Sequence, residues 1–466
     1  MTETSTLFTN VTLFDGEDFR HGPQDILLSG GRVQRVAPHG ELTAPEGAEV
    51  VDGSGHTLTP GFIDCHVHLT VNQAGSLESF TEPFSLQFYR SVENMRRTLV
   101  GGVTTVRDAG GADVGLKAAL AGGVVRGPRV KLAVAVLSQT GGHGDAHLPS
   151  GVCSPMLASH PGRPDGVADG PDAVRRTARE ILRAGADQIK ICSTGGVLSA
   201  GDDPRHSQFT PEEIAVVVAE AAAQGTYVMS HAQGTNGIKN ALRGGVRSIE
   251  HGIYLDDEAI DLFLEKDAFL VPTLQAPMAV LAAADAGTPM PPSVVEKARS
   301  VAEAHTASFR KAHEAGVKIA MGTDAGVGPH GENLQEIELM AAAGMGTGDA
   351  LRAATSTAAE LLSEPTAGRV REGDTADVVL FEGDLSRVGL SALRRRVREV
   401  WQGGERVSGW SATVPAPLRQ LGDRRGLGAQ YGVVEQHPGQ GVSTRDSPGS
   451  GPVGRTARRR RRPKPF

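Results

Sequence analysis

A lysine in the middle of an apolar run is the first residue of this chain that asks for a chemical partner. In "ADQIKICSTGGV" (186–197) Ile189 and Ile191 flank Lys190 in what reads as a short buried strand. Burying an unpaired ammonium is costly, so Lys190 must face something that compensates it. Two histidines, His66 and His68, stand in H-x-H spacing within "PGFIDCHVHL". Residues i and i+2 of a strand face one side, so both imidazoles can share a metal ion. Alone, such a pair is common on surface strands. Here His231 closes "TYVMSHAQ", His251 closes "RSIEHGIY" and Asp324 closes "VKIAMGTDAG". Taken singly, these could be a satisfied core histidine, a snorkelling lysine or a helix-capping aspartate. All six follow β-rich runs and precede Gly-containing loops, which points to one polar site.

Elements with a repeating rhythm must position them. Eight candidate strands, at 59–69, 103–110, 129–138, 187–194, 226–233, 247–254, 268–275 and 317–326, alternate with helical stretches. The clearest helices are 171–185 and 210–225. The second opens with Thr210, Pro211 and Glu213 in capping-box order and closes at Gly225. Eight parallel βα units predict an α/β fold, a (β/α)8 TIM barrel, whose active residues gather at the C-terminal strand ends. Both flanks read as short strands with tight turns, and helices at 331–344 and 347–362 lead from the last barrel strand to the second flank. The expected organisation is 1–58 and 366–410 as the two parts of a small β-sandwich, 59–365 as the barrel, and 411–466 as a disordered tail.

Composition fits a globular enzyme: 466 residues, 39% hydrophobic and 22% charged. Three widely spaced cysteines, Cys65, Cys153 and Cys192, make no disulfide framework and suit a reducing compartment. The N-terminal segment lacks a basic then apolar leader pattern, and no apolar run reaches membrane-spanning length, so a cytoplasmic setting is expected. The tail "GRTARRRRRPKPF" belongs to a segment of net +8, and with −7 for the whole chain the remainder carries −15. Such a run of like charge can bind nucleic acid or acidic partners, though a solvated extension is the plainer reading, and the acidic body argues against nucleic acid as the main partner.

The stretches "PGFIDCHVHL", "IKICSTGGV", "SHAQG", "SIEHGIYLDD" and "MGTDAGVGPHGEN" resemble, in order over residues 6–408, the metal-binding motifs of the amidohydrolase superfamily. "TGGHGDAH" and "STGGVLSAGDDPRHSQFTPEEI" extend the resemblance to the imidazolonepropionase-related branch. That branch holds metal-dependent prolidases (Xaa-Pro dipeptidases) and related carboxypeptidases. The resemblance implies two divalent metal ions, zinc first, with manganese or cobalt as substitutes. His66, His68 and Asp324 would bind the more buried ion, and His231 and His251 the more exposed one. Lys190 would react with CO2 to give a carbamate bridging both, and the ions would share a hydroxide. Asp324 would be the catalytic base, passing the water's proton to the leaving nitrogen. His143 and Tyr254 would contact the substrate, with Arg205 and His206 as further binding residues. His147 and His330 read as structural, and Cys192 shares parity with Lys190 whereas Cys65 points outward.

The implied activity is hydrolysis of an amide C–N bond in a dipeptide (Xaa-Pro or other Xaa-Xaa) or an N-acyl amino acid. Two alternatives stay open: a cyclic amide or lactone hydrolase of imidazolonepropionase type, and a non-catalytic scaffold. Mononuclear deaminases of the superfamily generally lack the lysine and carry a Glu soon after the fifth-strand histidine, which "SHAQGTNGI" does not offer. The expected partner is a small-molecule substrate, with no membrane and, for the catalytic body, no nucleic acid; a homo-oligomer is left open.

Overall fold

Runs of β-branched and apolar residues become strands along the described part of the chain. The computed structural model describes residues 5–72, 74, 82–145, 147, 151, 157–199 and 201–407. The N-terminal flank forms β1 (Ser5–Leu13), β2 (Gln24–Ser29), β3 (Arg32–Pro38), β4 (Glu49–Asp52) and β5 (His56–Pro60). Each of the eight candidate segments then contains strand. These are β6 (Phe62–Val67), β7 (Val103–Asp108), β8 (Arg129–Leu132) with β9 (Val136–Leu137), β10 (Ile189–Cys192), β11 (Val228–Ala232), β12 (Ser248–His251), β13 (Phe269–Val271) and β14 (Lys318–Ile319). The third segment is split because Val134 adopts φ 65°. The C-terminal flank gives β15 (Val378–Glu382), β16 (Val397–Gln402) and β17 (Glu405–Arg406).

The two flanks meet in one sheet of eight strands, ordered β17-β16-β15-β5-β1-β2-β3 with β4 on β1. Within it Val378 is paired with Pro60, which only Gly61 separates from the start of β6. Phe8 and Trp401 meet edge to face at 4.6 Å in that sheet's own apolar cluster. The strands between the flanks form two parallel sheets, β6-β7-β8 and β9 to β14 in sequential order. Backbone hydrogen bonds join their edges. Cys65 N donates to Met321 O (2.9 Å), Asp324 N to His66 O (2.8 Å) and His68 N to Ala325 O (2.7 Å). On the other side Ala133 N reaches Asp108 O (2.9 Å) and Asp187 N reaches Leu132 O (2.7 Å).

Helices cover the outer side of the parallel strands. In the helix Pro171–Arg183 the buried residues Val174, Ala178 and Ile181 form one apolar stripe. The helix Pro211–Ala223 has the expected capping box: Glu213 N donates to Thr210 Oγ1, and Thr210 N donates to Glu213 Oε2 at 2.8 Å. The segment 347–362, expected as one helix, is two: Thr347–Ala353 and Ser356–Leu361. The break has a cause in the strands, because the carbonyls of Ala353 and Ala354 accept from Met321 N and Ile63 N. Among the described residues no helix is long and apolar enough to cross a membrane. The described residues fall in one compact unit; the Arg-rich tail and Cys153 lie outside them.

Candidate functional site

Strand register sets the site. Cys192 pairs with His231, and Ala232 with His251, so β10, β11 and β12 end together. Lys190 and Cys192 share one face of β10 and line a cavity with His66, His68, His143, His231, His251 and Asp324. Ile189 and Ile191 point the other way into the main core. Cys65, between the two first-strand histidines, packs outward against Ala358, Ala359 and Leu361.

Three of the cavity residues, His251, Thr273 and Asp324, have unusual backbones. His251 has φ 75° and Asp324 φ 59°, conformations that non-glycine residues adopt only when their surroundings impose them. Strand alternation would send Glu250 and His251 to opposite sides. The positive φ turns His251 back, so Glu250 and His251 both reach His66: Glu250 Oε2 lies 2.7 Å from His66 Nδ1, and the His66 and His251 rings are 5.2 Å apart. Thr273, itself at φ 53°, places its Oγ1 2.7 Å from His251 Nδ1. On the first strand, Asp64 accepts from His66 N (3.0 Å), Thr323 Oγ1 (2.7 Å) and Asn333 Nδ2 (2.7 Å). It thereby ties the H-x-H segment to the turn carrying Asp324, and burial pushes its pKa up to about 6.

Acceptors around the imidazoles fix which nitrogen stays free. A carboxylate or carbonyl only accepts, so the nitrogen it touches carries the hydrogen. His66 therefore donates Nδ1–H to Glu250, and His68 donates Nδ1–H to Gly110 O at 2.8 Å. Each turns its unprotonated Nε2 toward the cavity, that of His66 lying 3.4 Å from Lys190 Nζ. His231 donates Nε2–H to Gly195 O at 3.0 Å and keeps Nδ1 free. Burial holds His66, His231 and His251 well below the ordinary imidazole range, so these rings are neutral at pH 7.

Three of these free donors converge. One ligand atom each from His66, His251 and Asp324 lie within 4.8 Å of one another. Asp324 Oδ1 is buried with no hydrogen-bond donor and faces His68 Nε2 at 3.4 Å and His66 Nε2 at 3.6 Å. Lone pairs facing lone pairs in a buried cluster need a cation between them, and neutral imidazole with carboxylate suits a divalent transition metal. The donor set fits. Lys190 Nζ lies 3.4 Å from His66 Nε2, and burial lowers the lysine's pKa despite the pull of Glu250. A buried amine with reduced proton affinity is a better nucleophile than a surface lysine.

His143 stacks on His231 with ring centroids 4.1 Å apart, and its Nδ1 lies 2.8 Å from Ser199 Oγ. The ring has space only because residue 196 is glycine: a Cβ there would sit 2.1 Å from His143 Cε1. The other proposed binding residues are placed differently. Arg205 is largely exposed and doubly bonded to Asp203 (3.0 and 2.7 Å), and neither it nor Tyr254 is among the residues lining the cavity. His206 and His147 are exposed, while His330 is buried with Nε2 3.2 Å from Val71 O.

Several supporting residues were not anticipated. The Arg107 guanidinium is fully buried and donates to Glu250 at 3.0 and 3.1 Å and to Cys65 O at 2.6 Å. Lys297 Nζ donates to the carbonyls of Gly196 (2.6 Å), Ser199 (2.6 Å) and Asp202 (3.0 Å). The signal available for Arg107 and Glu250 was a charged residue inside an apolar strand, as for Lys190. For Lys297, on an amphipathic helix, the sequence carried none.

Comparison with known proteins comes from three directions. A model of the amidohydrolase family matches residues 57–412. The ochratoxinase of Aspergillus niger is 34% identical over 368 residues, 76% of either chain. The solved structure of a prolidase complexed with N-methylphosphonate-L-proline matches with a TM-score of 0.79 at 37% identity, covering 87% of this chain and 100% of that one. A Xaa-Pro dipeptidase with methionine bound in its active site gives a TM-score of 0.77 at 32% identity, with 87% and 100% covered.

Proposed function

The chain belongs to the amidohydrolase family and is a hydrolase acting on carbon–nitrogen bonds, and from that premise we propose that it cleaves the amide bond of a dipeptide or an N-acyl amino acid at a two-metal site. The observation that carries this reading is the buried cluster of His66, His251 and Asp324, in which Asp324 Oδ1 has no hydrogen-bond donor, with His68, His231 and Lys190 around the same cavity.

His66, His68 and Asp324 would hold one ion and His231 and His251 the other. The Lys190 amine, by adding CO2 and losing a proton, would become a carbamate that serves both. Bound divalent ions supply Lewis-acid polarisation of the scissile carbonyl and water ionised near neutral pH. The protein's own part is to hold and move a proton. Asp324 takes the proton of the attacking water on its carboxylate and delivers it to the leaving nitrogen as the C–N bond breaks, giving a carboxylic acid and an amine. Glu250 and Thr273 keep His66 and His251 in the orientation that leaves their second nitrogen free. His143, stacked on His231, would position the substrate carbonyl, and Tyr254 and Arg205 are proposed to act further out, away from the lining of the cavity.

We read the parallel strands, joined at both edges, as a (β/α)8 barrel over 59–365, and the shared sheet of the flanks as a small β-sandwich made from 1–58 and 366–410. The decisive experiment loads the purified full chain with Zn2+ and bicarbonate and offers Xaa-Pro dipeptides, other dipeptides and N-acyl amino acids. Release of free amino acid from these classes is expected. Turnover confined to cyclic amides or lactones would move the assignment to the imidazolonepropionase type, and metal-free, inactive protein would favour the scaffold.

A further inference from the structure

Part of the lining of the same cavity is an apolar wall built from residues far apart in the chain: Val197, Ile253, Ala276, Val280, Val301 and Val327. These belong to a hydrophobic cluster of their own, separate from the main core. Its construction uses an added element. One helix connects β10 to β11, β11 to β12 and β12 to β13, whereas two helices, Gln275–Asp285 and Pro292–Glu314, stand between β13 and β14. The first contributes Ala276 and Val280, and the second presents Val294, Ala298 and Val301 as one stripe at i, i+4 and i+7. Lys297 of the same helix fastens Gly196, Ser199 and Asp202, and thus the loop carrying Val197, against this wall.

Charge compensation on that wall is missing among the described residues. The Lys297 ammonium is taken up by three carbonyls, and Arg205 is paired with Asp203. A carboxylate or ammonium desolvated against six aliphatic side chains would lose its hydration without gaining a partner. An uncharged apolar group placed there instead removes hydrocarbon surface from water on both sides.

We propose that this wall is the specificity subsite, and that the substrates are amides with an uncharged aliphatic or aromatic group beside the scissile bond, Val280 and Val301 being the residues that select it. The proposal rests on the amide-hydrolase reading for its substrate and on the wall alone for its ligand chemistry.

Two measurements separate these. The metal-loaded full chain is assayed on matched N-acyl amino acids of similar size that differ in charge, N-isovaleryl against N-succinyl on one side of the bond and leucine against aspartate on the other. On at least one side kcat/KM should favour the apolar member by about tenfold or more, the scale on which buried contacts discriminate. Val301→Thr and Val280→Thr, which keep the shape and add a hydroxyl, should narrow that ratio several-fold whatever the absolute rate. Equal or better use of the charged members on both sides overturns the proposal while leaving amide hydrolysis intact. Independently of turnover, the apolar fluorophore N-phenyl-1-naphthylamine is titrated into the full chain. Binding weakened by Val301→Phe, with unchanged circular dichroism, supports the wall even if no amide is cleaved; binding indifferent to that change counts against it.

Discussion

Lys190 Nζ and His66 Nε2 face each other at 3.4 Å within a shell of buried groups, so what Lys190 carries decides whether the cluster is compensated. Lys190→Ala in metal-loaded protein should lower turnover by at least about 100-fold, more than typical outer-ligand changes cost, with partial rescue by propionate in place of the lost carbamate. Near-normal turnover in the unrescued variant refutes the bridging role. Asp324→Asn keeps the shape and an oxygen ligand but removes the proton-accepting carboxylate. It should retain much of the metal by elemental analysis yet lose turnover to a similar degree, and activity within a few-fold of the parent removes it as the base. Glu250 is a different kind of residue, because it serves His66 and Arg107 at once. Glu250→Gln leaves a buried guanidinium without its counter-charge, a change that costs on the order of 3–5 kcal/mol in comparable sites. Denaturant midpoints should fall accordingly, and metal affinity should drop about 10–100-fold as the His66 orientation loosens. An unchanged midpoint would show that the ion pair adds nothing.

Elements were legible where their signal is local. Each of the eight candidate segments holds a strand, because runs of apolar and β-branched residues encode strand locally. The same locality made His66, His68, Lys190, His231 and His251 visible, since each stands within or next to a short strand, whereas Asp324 lies on the turn five residues beyond β14. What stayed hidden depends on distant pairing. The helix break after Ala353 exists because its carbonyl serves Met321, and Arg107 finds Glu250 143 positions away. Lys297 belongs to this second class, and it yields a prediction for the loop it holds. Lys297→Met removes the donor to three carbonyls, and charged hydrogen bonds of this kind contribute about 1.5–3 kcal/mol each. Loss of the loop's anchor should raise KM by about tenfold or more with a smaller change in kcat, because the loop positions His143 and Val197 and not the proton-transfer carboxylate. Lys297→Arg, which keeps the donors, should recover part of the loss. Gly196→Ala tests the same loop from its other side, since the added methyl must displace the His143 ring. Its KM effect should match that of Lys297→Met, and a fall in kcat at constant KM would assign both residues another role.

At the scale of the whole molecule, the inserted helices must be joined to the rest, and Glu336 does this from the core. From the helix Gln335–Ala342 its two carboxyl oxygens accept from Leu274 N at 2.7 Å and Gln275 N at 2.8 Å, at the start of the helix that bears Val280. The side chain is fully buried, and that burial pushes its pKa up from 4.5 to about 8. The sign of the resulting pH dependence follows. Between 4.5 and about 8 the unfolded chain has released this proton while the folded chain retains it. Folding in that window takes up a proton, so the stability from Glu336 is complete below 4.5 and is lost as the pH rises through about 8. One proton corresponds to a slope of about 1.4 kcal/mol per pH unit. Glu336→Gln cannot titrate. It also presents an amide nitrogen to one of two backbone donors, so an overall loss of stability is expected and its size is not the test. The test is the difference in slope: unfolding free energies measured at several pH values across the window should converge toward those of the variant as the pH rises. Parallel curves for the two proteins would mean that Glu336 is ionised in the folded state and that the two backbone N–H donors outweigh its burial.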